Sequence, residues 1–203
     1  MSVESDKILF TVMIPSIHSR LDKLTNLYSK LDKQIGNRAD VEVLCLVDNK
    51  SMTIGEKRNI LLQAARGKFV ACLDDDDTIS DDYIEKICNN LSEDIDVLCF
   101  EQHCSINGEK VMVSFDMNHK DNEPLRRGAD GKFINMKRMP WHMCVWKSEI
   151  AKKVPFKKLS WGEDWDWCSR MIPAIGKQVK LFDVLHYYQY TDEQSESIQY
   201  RDN

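Results

Sequence analysis

The sequence predicts an α/β fold in which a mostly parallel sheet is flanked by helices and followed by a small mixed second half. In about the first hundred residues, buried-strand patterns alternate with amphipathic helix patterns, an order typical of parallel strands joined by right-handed crossovers. The second half is less regular and contains Asn107-Gly108 between two apolar runs, a strong β-hairpin signal. No repeat or linker interrupts the chain, so residues 1–203 are predicted to form a single domain.

The first half, residues 8–103, supplies the regular part of the predicted sheet. Its first strand, Ile8–Ile14, should end at Pro15, and leucines at helical spacing between Leu21 and Leu31 predict a helix after it. The remaining predicted elements are a buried strand at Val41–Val47, a helix at Gly55–Ala65 with Gly67 as a left-handed cap, a strand at Phe69–Leu73, a helix from an N-cap at Ser80 to about Leu91, and a strand at Val97–Phe100.

The second half, residues 104–190, begins within the hairpin that pairs Gln102–Ile106 with Glu109–Phe115. Residues 116–140 show no period and are predicted to form a long loop, a feature that is usually functional or mobile in a compact domain. The elements predicted after it are a short strand at Met143–Trp146, a short helix from Ser148, a helix at Asp164–Ile175 with Gly176 behind it, one or two strands within Val179–Tyr190, and a polar tail at 191–203.

The net charge, the cysteines and the lack of a long apolar stretch limit the functions and locations that the sequence favours. The net charge is −5, which does not favour sequence-independent binding to a nucleic-acid backbone, since such binding depends on excess lysine and arginine. The seven cysteines are odd in number and none are spaced Cys-x-x-Cys, a pattern typical of buried thiols in a reducing compartment. No apolar stretch is long enough for a membrane span and the polar start does not resemble a signal peptide. We therefore expect a cytoplasmic protein.

The run Asp74-Asp75-Asp76-Asp77 comes directly after a buried strand, where open parallel sheets bind ligands. Adjacent carboxylates repel one another, and a shared divalent cation relieves that repulsion. Such oxygen ligands suit Mg²⁺ or Mn²⁺ whose coordination is completed by substrate phosphates. The alternative is a solvated acidic turn before the helix at Ser80.

A second acidic segment, Trp161–Trp167, sets Glu163 and Asp164 among tryptophans. Partial desolvation and the adjacent like charge both raise a carboxyl pKa, which suits a general base. The alternative is that Trp165 and Trp167 anchor the core and the acids cap a helix. Trp141-His142, after the long loop, could line a substrate site, or Trp141 could close the core.

Together these segments resemble family-2 glycosyltransferases, which are inverting enzymes with the Rossmann-like GT-A fold. The resemblance covers about residues 8–190. The chain is also similar to small glycosyltransferases carried by tailed bacteriophages, which would work in the host cytoplasm. The motifs that carry the family resemblance, in order, are Ile14-Pro15-Ser16, Val47-Asp48-Asn49, Gly55–Asn59, Ala65–Lys68, Leu73–Asp77, and Gly162-Glu163-Asp164 with Arg170.

This resemblance implies a role for each matching residue on the donor side. The donor would be a nucleotide-diphosphate sugar, with a UDP-sugar favoured, and the ion would be Mn²⁺ or Mg²⁺. Pro15 and Ser16 would border the nucleotide, Asp48 would read the base and Arg58 would lie near the pyrophosphate. In the DxD region, Asp74 and Asp76 would contact the nucleotide sugar, and Asp76 and Asp77 would bind the metal. His186 would be either a third metal ligand or a histidine whose hydrogen bonds are satisfied within a strand.

For the acceptor side, the resemblance implies an inverting single displacement without an enzyme nucleophile. Asp164 would deprotonate the acceptor hydroxyl, and Glu163 is its rival for that role. The acceptor hydroxyl could belong to a glycan, a protein or a modified nucleic-acid base. One departure from the family pattern is Ile17-His18, where Tyr-Asn is often found.

Two other function classes stay open at this point. A nucleotidyltransferase shares the nucleotide-binding α/β layout and a divalent metal, but it normally has a glycine-rich loop after the first strand, and residues 15–20 contain no glycine. A non-catalytic binding module with the same fold is the other alternative, although both acidic segments are intact.

Overall fold

The computed structural model describes residues 8–119 and 124–191. Within these ranges the chain forms one nine-stranded sheet with the order β2-β1-β3-β8-β5-β6-β7, while β9 lies beside β5 and β4 pairs with β9. The strands are β1 Phe10–Ile17, β2 Val41–Asp48, β3 Phe69–Cys72, β4 Thr78–Ile79, β5 Val97–Ile106, β6 Glu109–Phe115, β7 Met136–Arg138, β8 Val145–Lys147 and β9 Gln178–Tyr190. The α-helices are α1 Leu21–Ile35, α2 Ile54–Ala64, α3 Tyr83–Asn90, α4 Ser148–Ala151 and α5 Glu163–Met171.

The first three strands are parallel, as the alternating pattern predicts. The central strand β1 pairs with β2 and with β3, and the two crossover helices lie on opposite faces because both connections are right-handed. Helix α1 packs against α3, and α2 packs against α5. The carboxyl ends of β1, β2 and β3 therefore meet at one edge, and residues 15–17, 48 and 73–77 are brought together there.

The rest of the sheet is mixed. The short strand β8 lies antiparallel between β3 and β5, and β9 runs parallel to β5 along most of its length. The predicted hairpin is confirmed, since Asn107 and Gly108 both have positive φ between β5 and β6, as a two-residue primed turn requires. Strand β5 crosses residues 103 and 104, so both predicted halves contribute to the same sheet.

Three predicted details of the first half are wrong. Strand β1 continues through Pro15 to Ile17, because β3 pairs with it only as far as Met13 and the missing N–H disrupts no bond there. Strand β2 is a half-exposed edge strand. Gly67 does not adopt a left-handed conformation; instead, a Cβ at Gly67 would lie 2.6 Å from Thr11 Oγ1, so this glycine allows a close approach to β1.

The boundaries of α3 and α5 and the content of the predicted loop 116–140 also differ from prediction. Helix α3 starts at Tyr83, and its N-cap residue is Asp82 rather than the predicted Ser80. The chain before it is taken up by the pairing of Thr78–Ile79 with β9, and Ser80 Oγ donates to Asp82 over 2.7 Å. The predicted loop 116–140 contains strand β7, which pairs parallel with β6. Helix α5 starts at Glu163 and is followed by a 3₁₀ turn at Ile172–Ala174, and β9 is one continuous strand.

An aromatic cluster fixes α5 on the sheet and so determines where the second acidic segment lies. The Trp167 ring stacks on Phe156 with centroids 4.5 Å apart and meets Trp146 edge-on at 5.1 Å. Trp167 Nε1 also donates to the Val154 carbonyl over 2.7 Å. Trp167 is thus a core anchor, whereas Trp165 is 57% exposed. In the part of the chain described here, no helix is both long and apolar enough to cross a bilayer.

Candidate active site

The acidic loop Asp74–Asp77 follows β3 at the carboxyl edge of the parallel strands, where a ligand crevice is expected. The loop turns tightly, because the Asp77 N–H donates to the Asp74 carbonyl over 3.1 Å. Its consecutive side chains therefore point to different partners. Asp74 faces Arg58 and His142, Asp75 meets Ser16 and Arg20, Asp76 lies at the surface beside Arg20, and Asp77 meets His186.

Arg58 connects this loop to the start of α5 through two ion pairs, of which the one with Glu163 is buried and the one with Asp74 is partly exposed. Its Nη2 lies 2.8 Å from Asp74 Oδ1 and its Nη1 lies 2.7 Å from Glu163 Oε1, and the arginine side chain is 2% exposed. Burial raises the pKa of Asp74, but Arg58 and His142 outweigh burial and the pKa is lowered overall. At Glu163 burial dominates and the pKa is raised. Because protein carboxylates occupy the guanidinium, contact of Arg58 with a pyrophosphate requires this triad to rearrange.

The next two residues of the loop differ sharply in exposure. Asp75 is buried, where Ser16 Oγ donates to it over 2.6 Å and Arg20 Nη2 lies 2.9 Å from it. Burial raises the pKa of the Asp75 carboxyl to about 6 despite these partners. The Asp76 side chain is 42% exposed and pairs with Arg20 and, at 3.7 Å, with Lys23. Asp76 is thus accessible to a ligand arriving from solvent, whereas Asp75 holds the end of β1.

Asp48, at the end of β2, forms a buried ion pair with Lys57. Its Oδ2 accepts hydrogen bonds from Ser51 Oγ and the Met52 N–H, at 2.9 and 2.8 Å. Burial raises the pKa of Asp48, but Lys57, Met52 and Ser51 together lower it overall. Lys57 also donates to the Ser16 carbonyl over 2.8 Å. Pro15, Ser16 and Lys57 line one cavity of about 200 Å³ at this edge, together with Ile17, Arg20, Lys50, Met52, Ile54, Asp75 and Ser160.

A buried chain of three polar side chains runs from the sheet to the acidic loop. Gln102 Nε2 lies 2.9 Å from His186 Nδ1, and His186 Nε2 lies 3.0 Å from Asp77 Oδ2. Cys104 Sγ donates to Gln102 Oε1 over 3.2 Å, so the Gln102 amide donates to Nδ1 and the Nε2–H of a neutral His186 donates to Asp77. This arrangement exists because Gln102 on β5 is in register with His186 on β9.

The donor set at this point fits a hard divalent cation. Among residues 8–119 and 124–191, no group of three or more His, Cys, Asp or Glu side chains is arranged to hold a metal ion. Asp77 and His186 offer one carboxylate and one imidazole, and the exposed Asp76 is adjacent in the loop. Sites for Mg²⁺ or Mn²⁺ commonly use only one or two protein carboxylates and leave the remaining positions to phosphates and water.

The two acids at the start of α5 point in different directions. Glu163 is 4% exposed and bound to Arg58. The Asp164 side chain is 28% exposed, and its Oδ2 lies 3.7 Å from His142 Nδ1. Within the described ranges no lysine or arginine nitrogen lies within 4.0 Å of the Asp164 carboxylate. Asp164 is therefore accessible, and Glu163 is held in the interior.

A cavity of about 520 Å³ is lined by four of the site residues predicted from the sequence. Asp74, Asp77, Asp164 and His186 line one part of it, and apolar and aromatic side chains line another. Arg58 and Asp48 lie behind the cavities in buried ion pairs, and Pro15 and Ser16 line the separate smaller cavity. The polar lining residues that the sequence did not assign to the site are Gln102, Asn107, Arg138, Tyr188 and Tyr190.

Solved structures of other proteins resemble this chain over most of its length. The S. aureus TarS 1-349 crystal structure has a TM-score of 0.62 at 19% identity, covering 90% of this chain and 60% of that one. The complex of TarS 1-349 with UDP-GlcNAc gives a TM-score of 0.62 at 19% identity, covering 91% and 59%. Mannosyltransferase PcManGT from Pyrobaculum calidifontis, in complex with GDP-Man and Mn²⁺, gives 0.60 at 10%, covering 95% and 60%. The chain thus spans about three-fifths of these structures, and the likeness confirms the α/β GT-A fold.

The family comparison is made on the sequence itself. No curated protein matches the chain significantly. The profile described as glycosyl transferase family 2 matches residues 31–154. This match begins within α1 and includes β2, the acidic loop, the β5–β6 hairpin and β8, and it covers more than half of the 203 residues. The chain therefore belongs to glycosyl transferase family 2.

Proposed function

We propose that this protein transfers a sugar from a nucleotide-diphosphate sugar to an acceptor hydroxyl, in a metal-dependent single displacement that inverts the anomeric carbon. One observation carries the proposal: the exposed carboxylate of Asp164 and the Asp77–His186 pair line the same cavity. A displacement needs a base on the acceptor side and charge stabilisation on the leaving-group side. That TarS was solved with UDP-GlcNAc and PcManGT with GDP-Man and Mn²⁺ supports this donor class and a divalent ion.

The nucleotide would lie along the edge formed by β1 and β2. Pro15 and Ser16 line the small cavity at this edge, and a UDP-sugar is the favoured donor. Asp48 Oδ1 is buried against the Lys57 ammonium, so direct reading of the base by Asp48 would require this ion pair to open. Lys57 also holds the Ser16 carbonyl, so the Asp48–Lys57 pair would shape the nucleotide cavity even without direct contact to the base.

Asp77 and His186 are the residues that would hold Mn²⁺ or Mg²⁺, with the exposed Asp76 beside them and the donor diphosphate completing the coordination. The bound ion would neutralise the charge that develops on the departing nucleoside diphosphate. His186 would then present Nε2 as a lone pair and carry its proton on Nδ1. Gln102 can serve this tautomer by turning its amide so that Oε1 accepts from Nδ1, a supporting role typical of partners of metal-bound histidines.

Asp164 would accept the proton of the acceptor hydroxyl. Its carboxylate is open to the cavity and lies near His142 rather than near a lysine or arginine, so no permanent ion pair competes for its basic oxygen. Glu163 would instead keep α5 in place through Arg58. Arg58 would support the donor site by binding Asp74. Direct contact between the Arg58 guanidinium and the pyrophosphate remains a prediction. The bacteriophage resemblance and the cytoplasmic location also remain predictions.

Incubation of the protein with Mn²⁺ and separate nucleotide sugars tests this proposal directly. With UDP-glucose, UDP-galactose, UDP-GlcNAc and GDP-mannose, we expect slow release of the nucleoside diphosphate from one donor, with water replacing the acceptor. A nucleotidyltransferase would instead release pyrophosphate from a nucleoside triphosphate and a sugar phosphate. A binding module would bind nucleotide and release neither product. Anomeric configuration of the released sugar, followed by NMR, distinguishes inversion from retention.

A further inference from the structure

Strand β7 directs one cationic side chain toward the 520 Å³ cavity described above. Met136 and Arg138 alternate with Lys137 along this strand, and Lys137 is exposed. Arg138 lines the cavity that also contains Asp164. Its guanidinium carbon lies 6.0 Å from the centre of the Trp141 ring. Arg138 thus lies beside an aromatic wall in the same space as the proposed base.

The donors of Arg138 are largely unused. Within residues 8–119 and 124–191, its Nε is buried without a hydrogen-bond partner, and the single acceptor of its Nη2 is the weak Met136 Sδ, at 3.3 Å. Among the described residues no carboxylate oxygen lies within 4.0 Å of its guanidinium nitrogens. This contrasts with Arg58, whose guanidinium binds two carboxylates. A partly desolvated arginine without an anion is costly, so the vacant donors point to a ligand.

A second unpartnered group faces the same cavity. His142 is 6% exposed, and in the described part of the chain its buried Nδ1 has no hydrogen-bond partner, although Asp164 Oδ2 lies 3.7 Å away. That separation is too long for a hydrogen bond, so a shift of Asp164 on ligand binding could supply the missing partner. The cavity thus has a hydroxyl-binding end at Asp164 and His142 and a cationic position at Arg138.

We propose that the acceptor carries a carboxylate or phosphate group and that Arg138 binds this group while the reactive hydroxyl lies at Asp164. The inference rests on the glycosyl-transfer function proposed above and names the acceptor class for it. The planar guanidinium suits bidentate contact with either anion, and Trp141 offers a flat apolar surface to the ring that bears the hydroxyl. Repulsion from Asp164 would keep the anionic group away from the base, so the two charges of the cavity fix the orientation of the acceptor.

The test measures binding of two matched pairs of probes by calorimetry, with UDP and Mn²⁺ saturating so that the donor site is filled. The first pair is 4-nitrophenyl β-D-glucuronide and 4-nitrophenyl β-D-glucoside, which differ by one carboxylate. The second pair is glucose 6-phosphate and glucose. For at least one pair we expect the anionic probe to bind about tenfold to a hundredfold more tightly, the range that a charge-assisted hydrogen bond gives.

Three variants test whether Arg138 is responsible for the preference for the anionic probe. Arg138→Gln should reduce it to about threefold or less, and Arg138→Lys should retain part of it because the charge remains without the fork. Lys137→Gln removes the same charge from the exposed side of the same strand and should leave the preference unchanged. UDP affinity of each variant, measured in the same experiment, reports whether the fold is intact.

Separate arms distinguish an acceptor anion from an anionic donor sugar. If Arg138→Gln instead abolishes a preference for UDP-glucuronate over UDP-glucose, Arg138 reads the donor and the proposal is wrong. It is also wrong if neither anionic probe binds better than its neutral partner, if neither anionic probe binds at all, or if Arg138→Gln keeps the preference. Failure of the wild-type protein to bind or hydrolyse any nucleotide sugar would overturn the proposed transfer function instead, a result that the donor assays report independently of the probes.

Discussion

The acidic loop after β3 and the start of α5 each place neighbouring carboxylates in contrasting surroundings. In the loop, Asp74 is paired with the buried Arg58 whereas Asp76 is 42% exposed. On the helix, Glu163 is buried against the same arginine, whereas Asp164 is 28% exposed and has no lysine or arginine partner among the described residues. One buried guanidinium thus fixes one acid of each motif and leaves a neighbour accessible. The comparison indicates that each motif combines a structural carboxylate with one available for chemistry, and that Arg58 sets the spacing between the two motifs.

The largest effect should come from the accessible acid of α5. Asp164→Asn keeps the size of the side chain but removes its basicity, so turnover should fall by about 10²–10⁴-fold while donor affinity changes little. Steady-state kinetics of donor hydrolysis together with calorimetry of UDP binding measure both quantities. Glu163→Gln is the matched control, because it changes the adjacent, buried acid. Normal turnover of Asp164→Asn with an inactive, folded Glu163→Gln would reverse the two roles.

The shared arginine should dominate stability rather than chemistry. Arg58→Ala leaves the buried carboxylate of Glu163 and the partly exposed carboxylate of Asp74 without their cation, and removal of one partner of a buried pair typically costs about 3–5 kcal/mol in the free energy of unfolding. Urea denaturation measures this change. Arg66→Ala is the control, since the Arg66 side chain is 71% exposed and its partner Glu42 is still hydrogen-bonded by Thr11 and by the backbone N–H of residue 66. Ion pairs made by exposed side chains contribute about 0–1 kcal/mol. Equal losses in both variants would contradict the structural role of Arg58.

The proposed metal ligands offer the next comparison, between the Asp77–His186 pair and the supporting Gln102. Asp77→Asn and His186→Gln should each weaken Mn²⁺-dependent UDP binding by about tenfold or more, since ligands matter at least as much as their supporting partners, whose loss typically costs 10–100-fold. Gln102→Ala should give a smaller loss in the same assay. Excess chelator should abolish turnover. Full activity in chelator, with unchanged UDP affinity in both ligand variants, would rule out the metal site.

How far the sequence predicts this site depends on how local each feature is. The edge at which Asp74–Asp77 meets the end of β1 follows from the alternation of strands and helices, and the hairpin follows from Asn107-Gly108. The partner of each carboxylate cannot be predicted in this way, because Arg58 lies 105 positions from Glu163 and His186 lies 109 positions from Asp77. Arg138 lies in a segment without period, and only its pairing with β6 shows which face it occupies.

The smallest expected effect contrasts Asp74 with Asp75 through the pH dependence of stability in chelator. Burial raises the pKa of Asp75 to about 6, so between about pH 4 and pH 6 the folded state binds a proton that the unfolded state releases, and the contribution of Asp75 to stability is lost as pH rises. Asp74 has the opposite sign, because Arg58 lowers its pKa and its contribution is lost only as pH falls below about 4.

Asp75→Asn cannot ionise, so its unfolding free energy relative to wild type should increase by about 1–2 kcal/mol between pH 4 and pH 6.5 and then stay level. Asp74→Asn should show no gain over this interval, because the folded-state Asp74 carboxylate is already ionised at pH 4 and its wild-type contribution to stability can only rise from there. Urea denaturation at half-unit pH steps gives both curves. Parallel curves for the two variants would mean that these adjacent carboxylates share one environment, and the division of the acidic loop described above would be wrong.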